Sequence, residues 1–221
     1  MSGSSPLAAH RPPLVPVVHA VTTSELVARP DFLVRARGVM GALGPRGALH
    51  LRAPRLSALE LYRLADALSR AQPATGCWLV VVDRADVAAA AAARGVQLTS
   101  ESLTVADACR IAPSLAVGAS AHSLAEARTA AKHGAAWVVV DFPRHGPVGV
   151  DRASALARVG ALAREVTVPL VVIGGVLPAH VPQLREAGAH GVAVIRGIWE
   201  MENAERAATD YLSAHDAPGS T

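Results

Sequence analysis

The chain has 221 residues, of which 51% are hydrophobic, 18% are charged and 3% are aromatic. This composition excludes a disordered chain and predicts a sizeable core built from Ala, Val and Leu. The formal net charge is +3, with no basic run interleaved with aromatic residues, which argues against nucleic-acid binding. No apolar run reaches the ~18 residues of a membrane span.

The cysteines and the chain ends predict a single cytoplasmic domain. Cys77 and Cys109 are far apart and lack metal-ligand spacing, so we expect reduced thiols. Residues 1–13 lack the ordered layout of a signal peptide and are expected to form a flexible tail. We expect the folded domain over 14–214 and a second flexible tail over 215–221.

Short runs rich in Val, Leu and Ile alternate with Ala-rich segments along the whole chain. Most of the runs are continuously apolar, which is typical of parallel strands buried on both faces. The eight predicted strands are, in chain order, 15–21, 48–53, 78–83, 95–99, 114–120, 137–142, 169–175 and 191–197.

The segments between these strands have helical spacing, most clearly at 57–71 and 123–135. Ser57 and Ser123 stand at N-cap positions, and a glutamate follows each three residues later, as in a capping box. Eight alternating units in this length predict a single (β/α)8 TIM barrel. The competing doubly wound sheet needs a glycine-rich turn after the first strand, and "VVHAVTTS" has none.

A barrel of this kind places its active site at the carboxyl ends of the strands. Ser120 is the last residue of the fifth predicted strand, His122 follows it, and Arg52 lies at the end of the second. His50 shares the strand face of Arg52 and is therefore a further candidate to line the barrel. Asp83 and Gln97, at the ends of the third and fourth strands, complete the polar candidates at this rim.

Glycines at the last two strand ends predict a phosphate site. Gly174 and Gly175 end the seventh strand, and Arg196 with Gly197 ends the eighth. In many barrels these two loops bind phosphate through backbone N–H groups, which glycine allows the anion to approach closely. We therefore expect a phosphorylated ligand.

Several stretches together resemble the thiamine phosphate synthase/TenI superfamily over about 15–199. The most specific are "SAHSLAEA" and "PLVVIGGVLPAHVPQLREAGAHGVAVIRGI", supported by "VVHAVTT", "LHLRAP" and "DRADVAAAAAARGVQL". The resemblance implies a (β/α)8 barrel, in agreement with the strand count.

Within this superfamily, synthases join a pyrimidine pyrophosphate to a thiazole phosphate with magnesium, and their motifs match this chain only in part. Arg52 and Asp83 match. Pro54 stands where the synthase pattern has lysine, Val82 where it has asparagine, and Ser102 where it has a second acidic ligand. The phosphate loop "GPxxxTxTK" is replaced by "DFPRHGPVGV". These departures argue against the synthase branch.

We therefore expect the thiazole tautomerase branch, TenI, which "VHAVT" and "AHSLAEA" resemble more closely. The resemblance implies that His122 is the acid/base that isomerises a carboxythiazole phosphate, without a metal or cofactor. Arg52 would hold the carboxylate or stabilise developing charge, and the phosphorylated thiazole is the only partner implied. The alternatives are a magnesium-dependent thiamine phosphate synthase and a non-catalytic barrel that binds a phosphorylated ligand. The oligomeric state, including a homo-oligomer, is left open.

Overall fold

Eight strands follow one another around a closed barrel in the computed structural model, which describes residues 14–142 and 152–218. All neighbouring pairs are parallel, and β8 closes the barrel by pairing with β1. The strands are β1 Val18–Val21, β2 Gly47–Leu51, β3 Trp78–Val82, β4 Gly95–Leu98, β5 Ala116–Ala121, β6 Trp137–Asp141, β7 Leu170–Ile173 and β8 Gly191–Val194.

Helices connect these strands and surround the barrel. Short 3₁₀ turns occur at Gly44–Arg46 and Pro178–His180. The α-helices are α1 Ser24–Val27, α2 Phe32–Leu43, α3 Ala58–Ser69, α4 Gln72–Thr75, α5 Ala85–Ala90, α6 Val105–Ile111, α7 Leu124–Lys132, α8 Arg152–Glu165, α9 Val181–Glu186, α10 Arg196–Trp199 and α11 Ala204–Asp216.

The predicted (β/α)8 barrel is confirmed, and all eight predicted strands are present, each of them shorter than expected. The capping box of Ser57 and Glu60 forms at the start of α3. Ser123 caps α7 as expected, because its hydroxyl accepts from the backbone N–H of Glu126. The Glu126 carboxylate, however, accepts from the backbone N–H of His122 instead of that of Ser123. This contact fixes the chain where β5 ends and α7 begins.

Two tryptophans, Trp78 and Trp137, belong to the cluster that fills the barrel interior. Trp137 is fully buried there and packs with small and β-branched residues such as Ala48 and Val80. A Cβ atom on Gly118 would lie 2.0 Å from the Trp137 indole, so glycine at this position makes room for the ring. A second, larger core lies between the outside of the barrel and the helices.

Helix α11 continues beyond the expected domain end, because residues 215 and 216 belong to it rather than to a tail. Asp216 forms an ion pair of 2.6 Å with Arg46, and Arg185 donates to the carbonyl of Ala217. These contacts hold the end of α11 against the base of the barrel. Residues 1–13, 219–221 and 143–151, which include most of the atypical loop "DFPRHGPVGV", lie outside the described residues.

Among the helices of the described ranges, none is both long enough and apolar enough to cross a lipid bilayer.

Candidate active site

A cavity of about 190 Å³ opens at the carboxyl ends of the strands. Every strand contributes to its walls. Where one strand and the residues after it supply two lining side chains, these are two positions apart, so both point into the barrel. Six of its thirteen lining side chains are apolar, and these can pack against the faces of a flat ring. The lining residues are Val21, His50, Arg52, Val82, Gln97, Thr99, Ser120, His122, Val139, Asp141, Ile173, Ala193 and Ile195.

His122 and Asp141 form a pair across the ends of β5 and β6. Nδ1 of His122 lies 3.0 Å from Oδ2 of Asp141, and both side chains are more than half exposed. The backbone of His122 is held from two sides, by the Glu126 carboxylate and by the guanidinium of Arg158, which donates to its carbonyl. With Nδ1 directed to a carboxylate, Nε2 is the ring nitrogen left to meet a ligand.

Arg52 is positioned by a buried hydroxyl. Oγ1 of Thr22 accepts from the backbone N–H of Arg52 at 2.9 Å and donates to its carbonyl at 3.1 Å. Thr22 is completely buried, so its hydroxyl fixes the backbone while the Arg52 side chain extends to the exposed rim. A guanidinium at this place can pair with phosphate or carboxylate in a fork.

One side of the cavity holds an ordered amide. The indole N–H of Trp137 donates to Oε1 of Gln97 at 2.8 Å, and Nε2 of Gln97 donates to Oγ of Ser120 at 3.1 Å. Since the indole nitrogen can only donate, these bonds fix which way the Gln97 amide points.

Two buried histidines lie on another side. Nδ1 of His19 is 2.7 Å from Nε2 of His50, and Nε2 of His19 is 2.9 Å from the carbonyl oxygen of Pro16. Burial lowers the pKa of His19 to about 4, and burial together with the charge of His19 lowers the pKa of His50 well below its usual value. Both imidazoles are therefore neutral near pH 7.

A second cavity, of about 480 Å³, adjoins the first and shares Arg52, Val82 and Thr99 with it. Two carboxylates, those of Asp83 and Glu101, line it. Asp83 has a positive φ of 62°, and its carboxylate accepts from the backbone N–H and the hydroxyl of Thr99 at 2.7 and 2.9 Å. A non-glycine residue in this backbone region is strained, and such strain is common at functional sites.

The glycines predicted to bind phosphate lie beside the first cavity. At the ends of β7 and β8, Ile173 and Ile195 line this cavity, while Gly174, Gly175, Arg196 and Gly197 do not belong to its lining. Gly174 has φ of +121°, and a Cβ there would lie 2.4 Å from the carbonyl oxygen of Phe142. A Cβ on Gly197 would lie 2.3 Å from the Tyr211 hydroxyl. Backbone conformation and packing thus require both glycines, whether or not a ligand binds.

The structure brings most of the predicted polar residues together. His50, Arg52, Gln97, Ser120 and His122 line the first cavity, and Asp83 lines the second. Sequence reasoning assigned no site role to three partners, Asp141, Glu101 and His19. Asp141 and His19 stand at inward-facing strand positions, which is the one signal that marks them. Glu101 lies in a loop and carries no such signal.

Comparison with known proteins agrees with the fold and identifies its relatives. The family model described as thiamine monophosphate synthase matches residues 18–198. Thiamine-phosphate synthase from Methanoculleus marisnigri is 36% identical over 81% of this chain and 88% of its own length. The enzyme of the same name from Anaeromyxobacter dehalogenans is 35% identical over 87% of this chain and 86% of its own.

Solved structures give the same result. Thiamine phosphate pyrophosphorylase from Pyrococcus furiosus superposes with a TM-score of 0.75 at 27% identity, covering 90% of this chain and 96% of that one. A 3-hexulose-6-phosphate synthase shares the fold, with a TM-score of 0.64 at 18% identity.

The expected tautomerase, and with it the isomerase class, is wrong, because the relatives at 32–36% identity over most of the chain are thiamine-phosphate synthases. The expectation gave too much weight to Ser102 in place of a second acidic residue. In the folded chain the preceding residue, Glu101, lines the cavity of Asp83. The extent of these similarities shows that the chain belongs to the thiamine monophosphate synthase/TenI family.

Proposed function

We propose that this protein is a thiamine-phosphate synthase, which joins a pyrimidine pyrophosphate to a thiazole phosphate. The observation that carries this proposal is the 36% identity with a synthase over four-fifths of the chain. In the reaction, the carbon–oxygen bond to pyrophosphate breaks and pyrophosphate leaves with the bonding electrons. The thiazole nitrogen then supplies the electron pair of the new carbon–nitrogen bond.

The two adjoining cavities suit the two parts of the pyrimidine substrate. The smaller cavity combines apolar side chains, which suit the faces of a ring, with polar ones that suit its edges, and the larger one offers the polar groups of Asp83, Thr99 and Glu101. Arg52 belongs to both linings, so its guanidinium faces the pyrophosphate where the two parts join. Charge on the leaving group develops there, and a fixed cation beside it stabilises the transition state.

The donor set of the larger cavity fits magnesium. Mg²⁺ prefers oxygen ligands and typically takes one or two carboxylates together with substrate phosphates and water. Asp83 and Glu101 supply two carboxylates, and Thr99 already orients the first of them. These two residues would hold the ion, which when bound offsets the negative charge of the pyrophosphate. No group of three or more acidic, His or Cys residues that could hold a metal ion occurs in the described ranges, and substrate phosphates and water would complete the coordination.

The thiazole phosphate is assigned to the ends of β7 and β8. Gly174, Gly175, Gly197 and Arg196 remain the proposed contacts for its phosphate, which the backbone N–H groups and the guanidinium would bind. His122, held by Asp141, is proposed to contact the ligand through Nε2 rather than to move a proton between ring carbons.

The direct test is to incubate the purified protein with the pyrimidine pyrophosphate, the thiazole phosphate and Mg²⁺, and to detect thiamine phosphate by mass spectrometry. A known synthase is the positive control, and omission of either substrate is the negative control. Coupling that depends on both substrates supports the proposal. Failure to couple, under conditions in which the control enzyme is active, contradicts it.

A further inference from the structure

We propose that His19 is a positioning residue that makes Nδ1 of His50 a permanent hydrogen-bond acceptor in the active-site cavity, which thereby selects rings that carry an amino group. The identity of the ring, an aminopyrimidine, rests on the proposed function. The fixed state of His50 does not, because it follows from the protein's own contacts.

The hydrogen-bond chain begins at a group that can only accept. The carbonyl oxygen of Pro16 lies 2.9 Å from Nε2 of His19, so this nitrogen must carry the proton. In a neutral imidazole the other nitrogen, Nδ1, is then bare and can only accept.

The direction of the next bond follows from the first. Nδ1 of His19 lies 2.7 Å from Nε2 of His50, so Nε2 of His50 must donate the proton in this bond. The remaining nitrogen of His50, Nδ1, is therefore a bare acceptor. Within the described ranges no residue donates to it, and His50 belongs to the cavity lining.

The surroundings keep both rings neutral and in place. His19 is completely buried and His50 is 2% exposed, and both contact the Trp137 ring, with centroids 5.9 and 6.2 Å away. Burial disfavours the charged form of an imidazole, and a second proton on His50 would also face His19. The pair thus retains one pattern of protons near neutral pH.

The part of the cavity wall at Ser120 offers a hydrogen-bond donor instead. Ser120 accepts from Gln97, whose amide is oriented by Trp137. The Ser120 hydroxyl hydrogen has no acceptor within the described ranges and is therefore available to a ligand. The cavity offers one acceptor, on His50, and one donor, on Ser120. A 4-aminopyrimidine carries the complementary groups, an amino donor and ring-nitrogen acceptors.

The first test measures the protonation pattern without any ligand. In protein labelled with ¹⁵N-histidine, the His50 resonances are assigned by their loss in His50→Gln. The proposal expects a protonated Nε2 and a bare Nδ1 in His50 of the wild type at pH 7. A protonated Nδ1 overturns it, whatever the protein's catalytic activity.

The second test asks whether His19 sets selectivity through His50. The probes are 4-amino-5-hydroxymethyl-2-methylpyrimidine and the same compound without the amino group, both lacking phosphate. We expect the wild type to bind the amino compound about 10-fold more tightly, the effect of roughly one hydrogen bond. His19→Leu removes the acceptor for His50 and should reduce this ratio towards 1, while His19→Asn, which keeps an acceptor near the same place, should preserve it.

Equal affinity of the wild type for both probes overturns the selective role, as does an unchanged ratio in a folded His19→Leu protein. If the wild type binds neither probe although His50 shows the expected protonation, the aminopyrimidine assignment fails and the positioning role of His19 stands. If His19→Leu does not fold, the comparison of the probes on His50→Leu and wild type decides the selective role, because leucine offers no acceptor to the amino group and should lose discrimination.

Discussion

Nδ1 of His122 lies 3.0 Å from Oδ2 of Asp141, and this pair joins the ends of two neighbouring strands at the mouth of the barrel. A carboxylate in this place selects the imidazole form that carries a proton on Nδ1 and leaves Nε2 free. The pair is exposed, so its contribution to stability is small and its consequences should be sought in ligand binding.

Removal of the His122 side chain is therefore expected to reduce kcat/KM of the coupling reaction by about 10-fold or more, as for loss of one hydrogen bond to a charged ligand. Asp141→Ala should produce a smaller loss, and Asp141→Asn, which still accepts a hydrogen bond, a smaller one again. The melting temperature should change little in all three. His133→Ala, at an exposed helix end, is the control. Full activity of His122→Ala would exclude a role at the ligand.

The two carboxylates of the larger cavity should control the magnesium requirement. Asp83→Asn and Glu101→Gln keep the shape of each side chain, and asparagine tolerates the positive φ at position 83. Each is expected to raise the Mg²⁺ concentration for half-maximal activity about tenfold or more. Titration of activity with Mg²⁺ measures this, with the exposed Glu202→Gln as control. If Glu101→Gln titrates as the wild type does, Asp83 holds the ion without Glu101.

Gly174 should be essential for stability irrespective of any ligand. Gly174→Ala places a Cβ 2.4 Å from the Phe142 carbonyl oxygen at a backbone φ of +121°. We expect the free energy of unfolding to fall by about 1–3 kcal/mol, as measured by urea denaturation without substrates. Gly41→Ala, in α2 with nothing within 4 Å of the new Cβ, is the matched control and should stabilise the protein by about 0.5–1 kcal/mol. If the two substitutions change the free energy of unfolding equally, the end of β7 shifts to accommodate the new Cβ and the prediction is wrong.

The buried histidine pair should make stability depend on pH. The pKa of His19 is lowered from 6.5 to about 4 by burial, and that of His50 is lowered too. Between pH 4 and 6.5, His19 therefore binds more protons in the unfolded chain than in the folded chain. The free energy of unfolding should therefore decrease as the pH falls from 6.5 towards 4, by up to about 1.4 kcal/mol per pH unit for His19, and His50 should add to the decrease.

The variant His50→Gln tests this directly, because an amide can still donate to His19 but does not titrate. Its unfolding free energy should vary less steeply than that of the wild type between pH 4.5 and 6.5, whereas the exposed His133→Gln should follow the wild type. Parallel curves for His50→Gln and wild type would show that His50 is not neutral in the folded protein.

The sequence by itself determined the barrel and the end at which its site lies. Eight apolar runs separated by helical segments predict parallel strands with crossover helices, and the period of two along β2 places His50 on the face of Arg52. Polar residues at successive strand ends must meet at one rim, since all strands of the barrel run in the same direction. These conclusions depend only on local periodicity and on the geometry of parallel strands.

Only the tertiary structure decided which side chains act on one another. The contacts between His19 and His50, between His122 and Asp141, and the shared cavity of Asp83 and Glu101 each join different strands or loops. Motif comparison, residue by residue, treated Ser102 as the loss of a ligand, while the fold brings Glu101 to the same cavity. Proton positions follow from complete hydrogen-bond chains, and such chains exist only once the strands have been brought into register.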